Sequence, residues 1–406
     1  MSINNLQNLD DVKHATSQLT NLTYVQRSAN KTIIDDSFNE GEIVYDFTIG
    51  GNRWWIPSKT HFVIRSVIKK EDASAPDDDV YAASQFFAAN LFQGADFRIE
   101  GRSVSKVSNY LPQVYALKQR LTKSVAQRTT VGASLNNDVV SRVTRAASVV
   151  VNNEIETVFQ PPLAIFDEDT PLPPGNYSIV LTPNTKYDTS AVERKPLTTN
   201  NGQVQVKQMH LYVATVDGET PPKDFSYYLD LQEVRCTPQT IRNAEEHQDI
   251  TVKPSTYAIS VALQHETAGS SQDYPPVKFS GADGDERKLE RLRIQYASQT
   301  VPSPDANPSY AGKKDHMTRM YNDTLLNTNM LWSAGGVEDK VAWLTSPIYH
   351  YQFLKQSGDT STHATINYSF SSITAAPNLL VFDWFSNVAM IQYRDGRILT
   401  TQTESA

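Results

Sequence analysis

Short β-type segments recur along the whole chain, and this recurrence limits the possible fold more than any other property. The segment "GEIVYDFTI", Gly41 to Ile49, alternates apolar and polar residues and is rich in β-branched and aromatic types. The segment from Gly202 to Gly218 alternates in the same way, with Met209, Leu211 and Val213 on one face. Turn-forming residues separate such segments at spacings of roughly 8–12 residues, which is typical of β-sandwiches. The sequence therefore predicts an all-β fold.

The order of these segments is similar in the two halves of the chain. Each half contains several strand candidates, a long polar loop, one helix candidate and a long apolar strand near its end. The helix candidates at 109–121 and 310–328 begin about 200 residues apart, and the apolar strands near Leu211 and Val381 lie about 170 residues apart. A chain of 406 residues is long enough for two domains of about 200 residues. We therefore predict two tandem jelly-roll β-sandwiches with short bracing helices.

Changes in composition indicate where the domains begin and end. Residues 1–35 are polar and asparagine-rich, and we expect an N-terminal arm that becomes ordered only when it meets a partner. The segment 218–224 contains paired prolines flanked by charged residues, which is typical of a linker. The first jelly roll is accordingly expected at 36–217 and the second at 225–406.

Net charge, cysteine content and hydropathy argue against several functions. The formal net charge is −8 and the isoelectric point about 5.5, so we expect no specific binding of nucleic acid. The single cysteine, Cys236, excludes both an intramolecular disulfide framework and a metal site with several cysteines. No segment approaches the roughly 18 apolar residues of a membrane-spanning helix. The N-terminal segment lacks the basic and apolar regions of a signal peptide, so we expect synthesis without a secretory signal.

Known catalytic motifs are absent from the sequence. It contains no nucleophile elbow, no zinc-protease motif and no phosphate-binding loop. His61 and His210 lie in strand candidates, where an ordinary paired residue is a simpler interpretation than a ligand or a base. Acidic clusters at 77–79, 167–169 and 283–286 lie in loops where solvated acids are common, although a glycosidase needs two carboxyls about 5–10 Å apart. We expect no enzyme activity, no cofactor, and no catalytic or metal-binding residue.

Two charged stretches overlap after the last acidic cluster. "DGDERKLE", Asp283 to Glu290, contains several calcium-ligand types but lacks the spacing of an EF-hand, and ion binding there stays open. "RKLERLRIQ", Arg287 to Gln295, places basic residues on alternate sides of a strand. Only Tyr296 is close to it, whereas a nucleic-acid groove needs several interleaved aromatic residues. We interpret this stretch as a solvated sheet edge whose charge prevents unwanted pairing.

Three segments of the chain resemble a known family of structural proteins. "NLFQGADFRIEGRSVSKVSNYLPQVYALKQRL", residues 90–121, "PLPPGNYSIVLTPN", residues 171–184, and the strands from "HATINYSF" to "QYRDGRI" near the C-terminus are similar to segments of double jelly-roll major capsid proteins. These proteins form the capsids of tailless icosahedral DNA viruses, which include tailless phages, adenoviruses, virophages, Polinton-like viruses and large icosahedral viruses. In the first segment the matching residues are Phe92, Phe97, Ile99, Gly101, Val104, Tyr110, Tyr115 and Leu117.

The resemblance implies a structural role in a virion. It implies a homotrimer in which six similar β-units surround a threefold axis and form a pseudo-hexagonal capsomer. Neighbouring capsomers and minor capsid proteins would be its partners. The long loops at 183–203 and 264–286 would project to the exterior, and the N-terminal arm would point inward, towards minor proteins or an internal membrane. The two helix candidates would then brace the walls of the sandwiches.

Two other functions remain open on the sequence alone. A trimeric sugar-binding β-sandwich, such as a receptor-binding or fibre protein, would also be rich in tyrosine and long loops, and this chain has 19 tyrosines. A β-sandwich glycoside hydrolase would need one of the acidic clusters to form a carboxylate pair. An enzyme would place such acids beside aromatic residues, whereas this chain scatters them.

Overall fold

The protein is described here from a computed structural model. It describes residues 20–31, 33, 38–70, 80–131, 141–146, 154–195, 200–219, 221, 224–265, 267–279, 289–303, 314–328, 343–344, 346–354, 361–370, 378–394 and 397–404. The loop acids at 77–79 and 283–286, and residues 1–19 of the expected arm, lie outside these ranges. None of the described helices has both the length and the apolar character needed to cross a membrane.

The first half of the chain contributes eight principal strands. They pair into two antiparallel sheets, in the orders β1-β11-β4-β8 and β2-β9-β6-β7. A short strand, β3 (Arg53–Trp55), extends the first sheet by pairing with the end of β11. Two other short strands, β5 (Tyr81–Ala83) and β10 (Val192–Arg194), pair with each other. The eight principal strands are β1 (Thr20–Ser28), β2 (Ile43–Ile49), β4 (His61–Lys70), β6 (Phe92–Ile99), β7 (Arg102–Val107), β8 (Ile155–Phe159), β9 (Gly175–Pro183) and β11 (Gly202–Asp217).

The second half repeats this arrangement. Its sheets have the orders β12-β19-β14-β17 and β13-β18-β15-β16. A last strand, β20 (Arg397–Glu404), pairs with the end of β19, as β3 pairs with the end of β11. The strands are β12 (Asp224–Thr240), β13 (Glu245–Thr251), β14 (Thr256–Gln264), β15 (Leu289–Tyr296), β16 (Gln299–Val301), β17 (Ile348–Gln352), β18 (His363–Phe370) and β19 (Asn378–Arg394).

The two halves therefore share one topology. When the principal strands of each half are counted in chain order, both halves pair strands 1-8-3-6 in one sheet and 2-7-4-5 in the other. This is the order of a jelly roll, in which two Greek keys close a sandwich of eight strands. The prediction of two tandem jelly rolls is confirmed.

Alternation of side chains explains why these segments form half-buried strands. In β2, Ile43, Tyr45 and Phe47 are buried while Asp46 and Thr48 are exposed, as a period of two requires. Tyr45 packs edge-to-face on Phe62 of β4, with ring centroids 5.1 Å apart, and so joins the two sheets across the core. A second buried cluster, which includes Ile259, Tyr349 and Tyr368, fills the other sandwich.

The two predicted helices occupy equivalent positions in the two jelly rolls. Helices α1 (Phe87–Asn90), α2 (Leu111–Thr122) and α3 (Val125–Val131) belong to the first, α4 (Tyr187–Ala191) precedes β11, and α5 (Lys314–Asn327) belongs to the second. Both α2 and α5 lie between the fifth and sixth principal strands of their sandwich. Helix α2 is buried on almost every side, which fits a brace between packed layers.

The N-terminal boundary differs from the one predicted. Residues 20–28 were expected in an arm, but they form β1 and pair with β11 from Thr20 to Ser28. This strand lies at a sheet edge and exposes one face. Its polar residues therefore hid the alternation that identifies a strand in the sequence. The first jelly roll therefore includes residues well before 36. At the expected linker, β11 ends at Asp217 and β12 begins at Asp224.

Candidate functional site

The sequence candidates for chemistry do not form a reactive site. His61 stacks on Tyr212 of the neighbouring strand, and His210 contacts the side-chain amide of Gln208. Asp167, from the one acidic cluster that the structure describes, is held by Lys118, with 2.5 Å between Nζ and Oδ2. No group of three potential ligands that could hold a metal ion occurs among the described residues. These side chains are accounted for by pairing within the fold.

One buried pair, which sequence reasoning missed, has the geometry of a nucleophile and its base. Ser260 Oγ lies 2.8 Å from His350 Nδ1, and the indole nitrogen of Trp384 donates to the same hydroxyl over 2.8 Å. Both Ser260 and His350 are buried, so no substrate can reach the hydroxyl. Burial lowers the pKa of His350 to about 4, which keeps the ring neutral. Ser260 and His350 are far apart in sequence and belong to no recognisable motif.

Extensive contacts lie instead where the two jelly rolls of the chain meet. The sheet of β14 and β19 is buried on both faces: Leu379 and Val381 belong to the core of the second jelly roll, whereas Leu380 and Phe382 join the cluster that fills the first. This double burial explains the unbroken apolar run from Leu379 to Phe382, since neither face needs polar residues. The second jelly roll thus docks on the first with the outer face of one sheet.

Helix α2 is the main support for this junction on the side of the first jelly roll. Arg120 donates hydrogen bonds to the side chain and to the carbonyl of Ser346, over 3.0 and 2.5 Å. Its guanidinium also lies over the ring of Phe279, 5.6 Å from the centroid. Both partners belong to the second jelly roll, so one buried side chain ties the two domains together at two places.

The two long loops contact each other across the same junction. Gln272, from the second jelly roll, donates to the carbonyls of Gly202 and Asp188 over 2.6 and 3.1 Å and accepts from the amide of Gly202 over 2.9 Å. Arg194 forms a two-pronged ion pair with Asp273, with shortest distance 2.6 Å, and this guanidinium lowers the pKa of that carboxyl. The described parts of the loops expected at 183–203 and 264–286 therefore act as a clamp between the domains.

Strands β12 and β19 extend across the first jelly roll and carry a buried acid there. Asn387 donates to the carbonyl of Val104 over 3.2 Å. Burial raises the pKa of the Glu233 carboxyl, and the nearby side chains of Ser105 and Asn387 oppose that rise. One carboxylate oxygen of Glu233 has no partner among the described residues. This arrangement positions the domains but offers no second acid for catalysis.

Among the described residues, the equivalent sheet of the first jelly roll is covered only in part on its outer face, where Trp54, Ile56, Ala214 and Val216 form a small buried cluster. Its outer face carries a row of rings in which Tyr24, His61 and Tyr212 lie on three adjacent strands, with centroids 5.6 to 5.7 Å apart. Tyr24 is 49% exposed, and Val158 on the fourth strand is 39% exposed. Tyrosine is enriched at protein interfaces because it buries a large area and keeps a polar tip. We name this surface, formed by Tyr24, His61, Tyr212 and Val158, the ring face.

Comparisons with known proteins match the fold but not the sequence. No family profile and no curated protein matches the chain by sequence. A chain in the structure of the Sputnik virophage aligns with 95% of this chain and 89% of its own length, at 10% identity and a TM-score of 0.63. The PBCV-1 virus capsid aligns with 95% of this chain and 97% of its own, at 12% identity and a TM-score of 0.57.

A third structure extends the same likeness. The Faustovirus major capsid protein aligns with 91% of this chain and 90% of its own, at 8% identity and a TM-score of 0.56. At such identities the likeness concerns the fold, and it covers both jelly rolls together. The chain therefore has the double jelly-roll fold of these capsid proteins.

Proposed function

We propose that this protein is the structural major capsid protein of an icosahedral DNA virus and that it forms trimeric, pseudo-hexagonal capsomers. The observation that carries the proposal is the repeated 1-8-3-6 and 2-7-4-5 strand order, which gives each chain two similar jelly rolls. Three chains then supply six such units around a threefold axis. The likeness over both domains to the PBCV-1 capsid and to the Faustovirus major capsid protein supports the same function.

The contact inside one chain supplies a template for the contact between chains. Within the chain, the outer sheet face of the second jelly roll covers the side of the first that carries α2 and β7. If the same contact recurs between neighbouring chains of the trimer, the ring face on the first jelly roll of one chain covers the second jelly roll of the next chain. The covered side is the one that carries α5 and β16. Exposed leucines lie on that side: Leu326 on α5 is 56% exposed, and Leu354, whose backbone bonds Gln299 of β16, is 85% exposed.

The remaining contacts follow from this role. The capsomer meets neighbouring capsomers and minor capsid proteins in the virion shell. The N-terminal residues face the interior, where minor proteins or an internal membrane lie. The net charge of −8 suits a shell protein that does not itself pack a naked genome. The function requires no cofactor and no catalytic residue.

Measurement of the native mass of the purified full-length protein, combined with electron microscopy, tests the proposal. We expect a trimer with a hexagonal outline, and larger shells or arrays at high concentration. A protein that stays a single monomer at all concentrations would contradict it.

Sugar binding, the second candidate from the sequence, is favoured by one specific observation: a cleft rich in unpaired amides beside an exposed tyrosine. Such a cleft is compatible with a capsid role. For a glycoside hydrolase, the only described acidic cluster places Asp167 in an ion pair with Lys118. That pairing removes the carboxylate from catalysis.

A further inference from the structure

A cleft of about 450 Å³ opens at the junction, between the start of α2 in the first jelly roll and the loop 267–279 of the second. Tyr110, Gln113 and Gln93 line it from the first domain, and Gly269 and Ser270 line it from the second. Because both domains contribute, the cleft exists only in the docked chain. We name it the Tyr110 cleft.

Tyr110 is held in an unusual backbone conformation at the mouth of this cleft. Its φ of 60° lies in the left-handed region, which a bulky residue adopts only at a cost in free energy. The side chain is 37% exposed and makes no capping hydrogen bond to the helix that it precedes. The position would suit glycine or asparagine for helix geometry alone. The carbonyl of Tyr110 accepts the first hydrogen bond of the helix, from the amide of Val114 over 2.9 Å, but this backbone contact does not require an aromatic side chain.

Three amide side chains around the ring have unused hydrogen-bonding capacity. Gln113 is 7% exposed, and its carbonyl oxygen is buried without a hydrogen-bond partner in the part of the chain that the structure describes. Gln93 and Asn109 also make no side-chain hydrogen bond with the described residues. The buried oxygen of Gln113 costs about 1–3 kcal/mol while it is unpaired, which indicates a missing partner. Gln93 is half-buried and Asn109 is exposed, so their amides meet solvent in the free protein and are open to a ligand.

The other polar groups of the cleft are already engaged. Asn184 donates to Ser190 over 3.1 Å, and Lys186 donates to Ser270 over 3.3 Å. Among the described residues that line the cleft, Lys186 is the one charged side chain. A neighbouring cleft that shares Asn109 and Tyr110 is more highly charged, because Lys106, Glu233, Arg235 and Lys253 line it. The Tyr110 cleft is therefore the less charged, amide-rich one of the two.

We propose that the Tyr110 cleft binds a neutral saccharide, such as a hexose or an N-acetylhexosamine. Sugar hydroxyls both donate and accept hydrogen bonds, as the three free amides do. The apolar C–H face of a sugar ring packs against the exposed part of the Tyr110 ring. Docking of the two jelly rolls forms the site, so one capsomer carries a copy on each chain. The proposal does not depend on the trimer.

Saturation-transfer NMR with glucose, galactose, mannose, N-acetylglucosamine and lactose tests the proposal on the full-length protein. We expect saturable binding of at least one of these sugars. Tyr110→Gly removes the ring and accepts the positive φ without strain, and it should weaken that binding about tenfold or more, or about 1.4 kcal/mol. The control Tyr228→Ala removes another exposed tyrosine, 48% exposed on β12, and should leave the binding unchanged.

A second variant separates a ligand role from a structural one. Gln113→Leu keeps the volume but removes the unpaired amide, so the protein should be as stable as the wild type or more stable, while sugar binding falls. Binding of none of the five sugars would overturn the proposal, as would binding that both variants leave intact. Native mass measured on the same samples reports the trimer separately, so failure of one proposal is distinguishable from failure of the other.

Discussion

The guanidinium of Arg120 donates to both the hydroxyl and the carbonyl of Ser346, residues that lie 226 positions apart and in different jelly rolls. Arg120 is 3% exposed, so its buried charge depends on contacts within the protein, which include these hydrogen bonds and the ring of Phe279. Arg120→Met should lower the free energy of unfolding by about 2–3 kcal/mol, because the carbonyl of Ser346 loses a charged donor. Urea unfolding of the purified protein measures this.

A surface ion pair supplies the matched control for that variant. Arg53 and Asp217 lie 3.3 Å apart and both are more than 40% exposed. Arg53→Gln should change the free energy of unfolding by less than about 1 kcal/mol. Equal effects of the two arginine substitutions would show that Arg120 does not join the domains.

The loop clamp should depend on one buried amide. Gln272→Leu leaves the amide and carbonyl of Gly202 without partners, which should cost about 2–4 kcal/mol of stability. Hydrogen exchange of the amides of Gly202 and Val204 should become faster, because Gln272 holds the loop that orders them. Exchange there at the wild-type rate would contradict the clamp.

The buried histidine predicts a pH dependence with a defined sign. The pKa of His350 is about 4 in the folded protein and near 6.5 in the unfolded chain, so the unfolded chain binds more protons between these values. The stabilisation that comes from keeping His350 neutral is complete above pH 6.5 and is lost as the pH falls towards 4. At pH 4.5 the loss relative to pH 7 should be about 2–3 kcal/mol.

His350→Gln removes this contribution and provides the comparison. The variant should lose about 2–3 kcal/mol less than the wild type between pH 7 and pH 4.5, measured by urea unfolding at one protein concentration. Between pH 7 and pH 8 the difference in stability between the two proteins should stay constant. Parallel pH curves over the acid range would refute the assignment.

The ring face predicts which substitutions separate the subunits. Tyr24→Lys places a charge on a surface that the next copy should cover. During dilution, the trimer of this variant should dissociate at a protein concentration at least about tenfold higher than the concentration at which the wild-type trimer dissociates. Leu326→Lys, on the complementary side, should act in the same direction. Native mass spectrometry over a dilution series measures both.

Thr48→Lys is the control for these variants. Thr48 is exposed on β2, an edge strand of the opposite sheet, so the added charge should leave the native mass unchanged. Dissociation of all three variants at the same concentration would point to a general charge effect and would contradict the assigned interface.

Individual elements show what local patterns could predict. The alternating segment from Gly41 predicted β2, and the helix expected at 109–121 is Leu111–Thr122, because both elements follow a strong apolar period and clear turn signals. Strand β1 was missed, since Thr20–Ser28 lies at an edge, exposes one face and carries few apolar residues. The ring face and the Tyr110 cleft were likewise invisible, because each combines residues from segments distant in sequence.

The amino-acid sequence by itself determined the two sandwiches and their order, since alternation, turn residues and apolar runs act over a few neighbouring residues. Only the tertiary structure decided that one sheet of the second jelly roll is buried on both faces, that Gln272 reaches Gly202, and that Tyr110 lines one cleft with three amide side chains. Those relationships depend on how two finished domains dock. Docking is governed by the shape and charge of whole surfaces, which no single segment of the chain contains.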